Sequence, residues 1–211
     1  MLYKQTVNTT LLELTQQLCL HPAMKNFVLV GGTALSLQIG HRKSIDIDMF
    51  SEQPFDAEEM SLILKNSFNF YVNNRFKNAL MGTIQDIKTD VITHQYKWIR
   101  PLLDEEGIRM ASLEDIAAMK LNAIAGNGSR LKDFVDIAFL SSCFSLQQML
   151  DFFEEKYPNN NSVIALKSLC YFDDIIFDVD ILYQDSPLSW EIIKSRIIAM
   201  VQEPQKVFSK L

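Results

Sequence analysis

At 211 residues, 48% of them hydrophobic and 22% charged, the chain can bury a sizeable core as one domain or two small ones, which excludes an intrinsically disordered protein. The formal net charge of −6 gives no overall attraction to nucleic acid, so an RNA partner would have to be held by a local basic patch. No apolar run approaches the roughly 20 residues of a membrane span, and the polar start Met1 to Thr10 lacks a secretory pattern, so the protein is expected in the cytoplasm.

In chain order, Leu11 to Leu20 has helical apolar spacing, and Phe27-Val28-Leu29-Val30, bounded by turn residues, reads as a buried strand. Gly31-Gly32-Thr33 then turn the chain into a helix-compatible segment, Ala34-Leu35-Ser36-Leu37-Gln38-Ile39. A second strand follows in Ser44-Ile45-Asp46-Ile47-Asp48-Met49-Phe50, where apolar and acidic residues alternate. Residues two apart on a strand share a face, about 6.5 to 7 Å apart along it, so both carboxylates address one point. Asp56 to Phe68 has the spacing of an amphipathic helix. Leu80 to Ile84 and Lys88 to Thr93 read as strands joined by a tight turn at Gln85-Asp86.

From Ser112 onward the pattern is almost wholly helical. Ser112 with Asp115 resembles a capping box ahead of Ile116 to Ala125, and Ser145 with Gln148 another ahead of Met149 to Tyr157. Pro158 and Asn159-Asn160-Asn161 mark a loop, and Ser189 to Lys210 reads as a terminal helix interrupted at Pro204. A boundary is expected near Glu105-Glu106-Gly107, giving a mixed core over 1–106 and a helical region over 107–211, an α+β chain. Cys19, Cys143 and Cys170, odd in number and scattered among apolar neighbours, read as buried thiols rather than a disulfide framework or zinc site.

The chemistry lies in the pairing of the glycine turn with the Asp-x-Asp strand. Each half alone is weak, since Gly-Gly is a common turn and Asp-x-Asp is common on solvated strand edges. In order, each attached to an apolar strand, they place a phosphate-compatible turn beside two metal-capable carboxylates and point to nucleotidyl transfer. Magnesium suits such a site, because it takes oxygen ligands, keeps some of its waters, and is held by one or two carboxylates with substrate phosphates. Asp90, on the strand Lys88-Thr89-Asp90-Val91-Ile92, would supply a third ligand and accept a proton if that strand lies beside Asp46 and Asp48. Asp86 competes for the role from a position where an aspartate usually serves the turn itself.

Gly31-Gly32-Thr33-Ala34-Leu35, Arg42, Ser44, Asp46-Ile47-Asp48-Met49-Phe50, Asp90, Lys120 and Arg130-Leu131-Lys132-Asp133-Phe134-Val135-Asp136 together resemble the AbiEii/AbiGii toxin-type nucleotidyltransferases of the polymerase β superfamily. The resemblance runs over roughly Phe27 to Leu140. It implies a polymerase β-like core with a mixed sheet, followed by a helical C-terminal region that completes the active-site cleft. It further implies Mg2+-dependent (or Mn2+-dependent) transfer of a nucleoside monophosphate from an NTP, and frequently a toxin role opposed by a separately encoded antitoxin.

Under that resemblance, Asp46, Asp48 and Asp90 hold metal, with Asp90 as base. Gly31, Gly32 and Thr33 bring backbone amides and a helix N-terminus to the triphosphate. Where most of the wider superfamily has serine after the first glycine, this chain has Gly32, so a hydroxyl contact would come from Thr33 or Ser44. Arg42, Lys120, Arg130 and Lys132 become nucleotide-binding residues, with Asp133 and Asp136 orienting the basic pair. The residues themselves leave other readings open: Arg42 as a surface-loop arginine, Lys120 as a solvated helical lysine with a draped stem, and the 130–136 cluster as an ion-pair network on a helix surface. His94, Tyr96 and Trp98 suit core packing at a strand end better than a base-stacking platform. The phenylalanines at helical spacing, including Phe134, Phe139, Phe152 and Phe153, fill an interhelical core.

The expected activity is therefore transfer to a macromolecular acceptor, tRNA or a protein hydroxyl, by a toxin-like or phage-defence component. A small-molecule, antibiotic-type nucleotidyltransferase and a non-catalytic nucleotide- or partner-binding module are the alternatives.

Overall fold

The first helix, α1 (Thr9–Leu20), starts where the Asn8 side chain accepts a hydrogen bond from the Leu11 amide, and it buries Leu11, Leu14, Leu18 and Cys19 along one stripe. The computed structural model describes residues 1–211. It contains two compact units, one of Met1–Lys97 with Pro101–Ser112, the other of Trp98–Arg100 with Leu113–Leu211.

In the first unit β1 (Val28–Leu29) is followed by α2 (Gly31–Ile39), which ends at Gly40 in the left-handed region. Next come β2 (Ile47–Ser51) and α3 (Ala57–Phe68); the Asp56 carboxylate caps α3 by accepting from the amides of Glu58 and Glu59. Five further strands follow: β3 (Tyr71–Phe76), β4 (Ala79–Ile84), β5 (Ile87–Thr93), β6 (Leu103–Glu105) and β7 (Ile108–Met110). All seven form one mixed sheet in the order β3-β4-β5-β2-β1-β7-β6. The pairs β2/β5 and β1/β7 are parallel and the others antiparallel.

Gln85 and Asp86 both adopt positive φ, 51° and 63°, as the tight hairpin turn between β4 and β5 requires. The boundary expected at Glu105-Glu106-Gly107 falls inside another hairpin, β6/β7. Because β7 joins the sheet through Leu29 and Met110, the sheet unit continues to Ser112. Sequence periodicity also missed β3, β6 and β7. β3 is an exposed sheet edge with no buried side to print an alternation, and three-residue strands are too short to show one.

The second unit carries α4 (Leu113–Gly126), α5 (Leu131–Leu140), α6 (Leu146–Lys156), α7 (Ser162–Leu169) and α8 (Trp190–Gln202). The capping box at α6 is present: Ser145 Oγ accepts from the Gln148 amide and Gln148 Oε1 accepts from the Ser145 amide. Pro204 lies just beyond α8, which stops at Gln202 rather than continuing to Lys210. Phe134, Phe153 and Tyr157 are fully buried, and Phe134 meets Phe172 and Trp190 edge-on at 6.1 and 6.2 Å.

The extended segment Trp98–Arg100 is bound into this unit by Asp115, whose carboxylate accepts from the amides of Ile99 (3.1 Å) and Arg100 (3.3 Å). Lys156 donates to the same carboxylate at 2.7 Å and lies 4.6 Å from the centre of the Trp98 ring. Trp98 thus packs with the helices, while His94 meets Phe50 and Tyr96 at tilted ring angles in the sheet unit. Of the three cysteines only Cys19 is buried. Cys143 lies in the turn after α5 and Cys170 caps the end of α7, and both are exposed. No helix is long and apolar enough to cross a membrane.

Candidate active site

The turn from β1 into α2 is tied to β2: the Val30 amide donates to the Asp48 carbonyl at 2.9 Å. Gly31 follows at φ +69°, and a Cβ there would stand 2.5 Å from Asp48 Oδ2. Glycine is needed twice over, for the backbone conformation and for the approach of the carboxylate. Gly31→Ala is expected to cost about 1–2 kcal/mol in backbone strain and, by displacing Asp48, to slow nucleotide transfer about 10²-fold. Thermal denaturation and an α-labelled NTP assay measure the two effects.

At Gly32 a Cβ would run into Arg42 Nη2 and come within 3.4 Å of Ser44 Oγ. The space a serine would need is thus filled by a buried guanidinium, whose Nη1 donates to the Lys43 carbonyl at 3.0 Å. Thr33 Oγ1 donates to the Asp46 carbonyl and lies 2.8 Å from Ser44 Oγ. Gly31, Gly32, Thr33, Arg42, Ser44 and Asp46 are therefore gathered at one end of α2.

Asp48 and Asp90 are direct partners in the parallel β2/β5 register, so both side chains leave the same face of the sheet. Asp46 precedes β2 instead of lying within it; its carbonyl is taken by Thr33 and not by a strand partner. Asp90 is only 6% exposed. Its Oδ2 pairs with Lys88 Nζ at 2.9 Å, while its Oδ1 is buried with no hydrogen-bond partner. Burial pulls the Lys88 ammonium down, yet the hydrogen bond to Asp90 and the charges of Asp90, Asp48 and Asp46 outweigh it and hold Lys88 above the usual lysine value. Sequence reasoning passed over Lys88. The signal was the strand period, which puts residues 88 and 90 on one face.

An unpartnered buried carboxylate oxygen beside a second carboxylate is a donor set that fits a hard divalent cation. No group of three or more acidic, histidine or cysteine side chains converges as a ready-made metal cage. Magnesium does not need one, since substrate phosphates and water complete its shell.

In the helical unit Lys120 is gripped by two buried carboxylates, Asp133 Oδ1 at 2.6 Å and Asp136 Oδ2 at 2.8 Å. Arg130 Nε lies 3.7 Å from Asp133 Oδ2. The charged cluster is therefore not the surface network that helix spacing alone suggests. α5 is buried along nearly its whole length, which makes Lys120 of α4 the main partner of the two aspartates. Arg130 and Lys132 line a cavity of about 280 Å³ together with Ser129, Ile176 and Asp178.

The family model described as the AbiEii nucleotidyl transferase toxin of type IV toxin–antitoxin systems matches residues 14–206. The chain belongs to the AbiEii family. An uncharacterised protein of Aquifex aeolicus, aq_aa25, is 34% identical to this AbiEii chain over 188 residues, covering 84% of this chain and 87% of its own. Among solved structures, JHP933 from Helicobacter pylori aligns with a TM-score of 0.52 at 17% identity, over 97% of this chain and 94% of its own. An antigenic nucleotidyltransferase-like protein from Paracoccidioides brasiliensis aligns with a TM-score of 0.50 at 18% identity, over 96% and 93%. At such identities the structures share the fold, a polymerase β-like nucleotidyltransferase architecture. Family membership makes the AbiEii chain an enzyme of the nucleotidyltransferase class.

Proposed function

We propose that this AbiEii-family enzyme transfers a nucleoside monophosphate from an NTP to a hydroxyl of a macromolecule, tRNA or protein, as a toxin opposed by a separately encoded antitoxin. The observation that carries the chemistry is the Asp48/Asp90 pair, in register on adjacent parallel strands with Asp90 Oδ1 unpartnered and Gly31 against Asp48.

The amides at the start of α2, freed of side-chain bulk by Gly31 and Gly32, meet the triphosphate, where the helix N-terminus favours negative charge. Arg42 and the Ser44 hydroxyl stand beside that turn and fix the phosphates, while Thr33, its hydroxyl proton given to the Asp46 carbonyl, contributes its place in the first turn of α2. Asp46, Asp48 and Asp90 would hold Mg2+, or Mn2+ in its place, which when bound neutralises the triphosphate and favours ionisation of the attacking hydroxyl. Asp90 accepts the hydroxyl proton, the acceptor oxygen bonds to the α-phosphorus, and the bond to the β-phosphate breaks, releasing pyrophosphate. In the helical unit, Arg130 and Lys132 bind phosphate of nucleotide or acceptor. Asp133 and Asp136 orient Lys120 for the same task, and Asp133 also faces Arg130, which lines the cavity.

The test incubates the wild-type chain and an Asp46→Asn/Asp48→Asn variant with each α-labelled NTP, magnesium, total tRNA and whole-cell protein. Label entering the tRNA or the protein fraction with wild type alone is the expected result and names both donor and acceptor class. Absence of macromolecular label, with transfer to an added aminoglycoside instead, would replace the proposal with the small-molecule reading.

A further inference from the structure

The Lys88–Asp90 pair has no place in the chemistry above, although it sits in the middle of it. We infer that Lys88 is a resident counter-ion of the carboxylate site: it holds Asp90 in the metal-free enzyme and gives way when a divalent cation binds. The inference rests on the metal-dependent reading of the site.

Three observations support it. First, Lys88 Nζ lies 2.9 Å from Asp90 Oδ2, and Asp90 is directly opposite Asp48 in the β2/β5 register. Carboxylates gathered on one sheet face repel one another, and one of them is nearly buried, so a cation is needed there whenever metal is absent. Second, the pair engages only one oxygen of Asp90. Oδ1 has no partner, so the lysine compensates charge without saturating the carboxylate, and Asp90 keeps a ligand capacity that a cation takes up as Lys88 gives way. Third, the counter-ion is a lysine whose side chain is 56% exposed. A point charge on a flexible stem with an open path to water can leave at small cost, whereas a forked guanidinium locked onto both oxygens would not.

A divalent cation at these carboxylates must work against a positive charge a few ångströms away. Removal of that charge is therefore expected to tighten metal binding. A lysine that merely fixed the Asp90 rotamer would have the opposite effect, because its loss would loosen a ligand.

The experiment titrates the full chain with Mn2+ alone, without nucleotide, and follows free Mn2+ by electron paramagnetic resonance at fixed pH and ionic strength. Lys88→Met is expected to bind Mn2+ about tenfold more tightly than wild type, Lys88→Arg more weakly than wild type, and Asp90→Asn to lose binding. Equal or weaker binding by Lys88→Met, with wild type binding normally, overturns the inference and leaves the metal site standing. Failure of every form to bind Mn2+ alone overturns the inference, which requires the cation to reach these carboxylates without nucleotide, and leaves the metal reading, in which substrate phosphates complete the shell, to the transfer assay. A second measurement needs no variant: acetylation of the wild-type chain by an amine reagent, quantified by mass spectrometry. Modification of Lys88 relative to Lys65 is expected to rise when Mn2+ is added, and an unchanged ratio counts against displacement.

Discussion

Asp90→Asn is expected to lower nucleotide transfer by about 10³-fold, the scale on which loss of one preorganised charge at a phosphoryl-transfer centre is felt, with little change in stability. Asparagine keeps the shape of the side chain and leaves the β2/β5 ladder intact, but it loses the negative charge and the ability to take a proton from the acceptor hydroxyl. The pair with Lys88 is also lost. Because the Lys88 side chain is more than half exposed, that pair contributes at most about 1 kcal/mol, and relief of repulsion from Asp48 works in the other direction. Incorporation from an α-labelled NTP and the melting temperature, measured together, check both halves of the statement. Asp86→Asn supplies the internal comparison. Asp86 occupies the β4/β5 turn at φ 63°, a conformation asparagine tolerates well, so this variant should transfer nucleotide at the wild-type rate. If Asp86→Asn fell as far as Asp90→Asn, the assignment of the third carboxylate to β5 would be lost.

The part of the site that sequence reveals is the part written in the strand period. Asp48 alternates with the apolar Ile47 and Met49, so its face can be read in advance, and Asp90 shares that face because β5 lies beside β2 in register. Asp46 shows where that reasoning stops. Alternation extended the strand back to Ile45, but the Thr33 hydroxyl captures the Asp46 carbonyl, and a side chain competing for a backbone group leaves no trace in apolar spacing. Lys120 shows the same limit on a larger scale. Helical spacing joined Asp133 and Asp136 to their own helix neighbours, whereas burial of α5 presents both to a lysine thirteen residues upstream of Asp133 on α4. Pairings between elements are set by packing, which a local pattern does not encode. The border of the sheet unit escaped for a related reason: Glu106-Gly107 has the composition of a linker but serves as the turn of a hairpin that joins the sheet beside β1.

The largest loss of stability is expected from Asp115→Ala. Asp115 and Lys156 side chains are both 0% exposed, and the same carboxylate accepts from the amides of Ile99 and Arg100. Its removal leaves a buried ammonium without its carboxylate and deprives two backbone donors of their acceptor, a combination that costs about 3–5 kcal/mol. The measurement has a convenient reporter, since the chain has two tryptophans, and both Trp98 and Trp190 belong to the helical unit. Tryptophan fluorescence during urea denaturation therefore follows that unit alone, even if the sheet unit unfolds separately. Asp115→Ala/Lys156→Met, which removes the stranded charge as well, should be less destabilised than the two single variants added together. The amide contacts are lost in either case, so this double variant should still melt below wild type. A loss under 1 kcal/mol for Asp115→Ala would mean that Trp98–Arg100 is held to the helices by packing of the indole and not by the buried carboxylate.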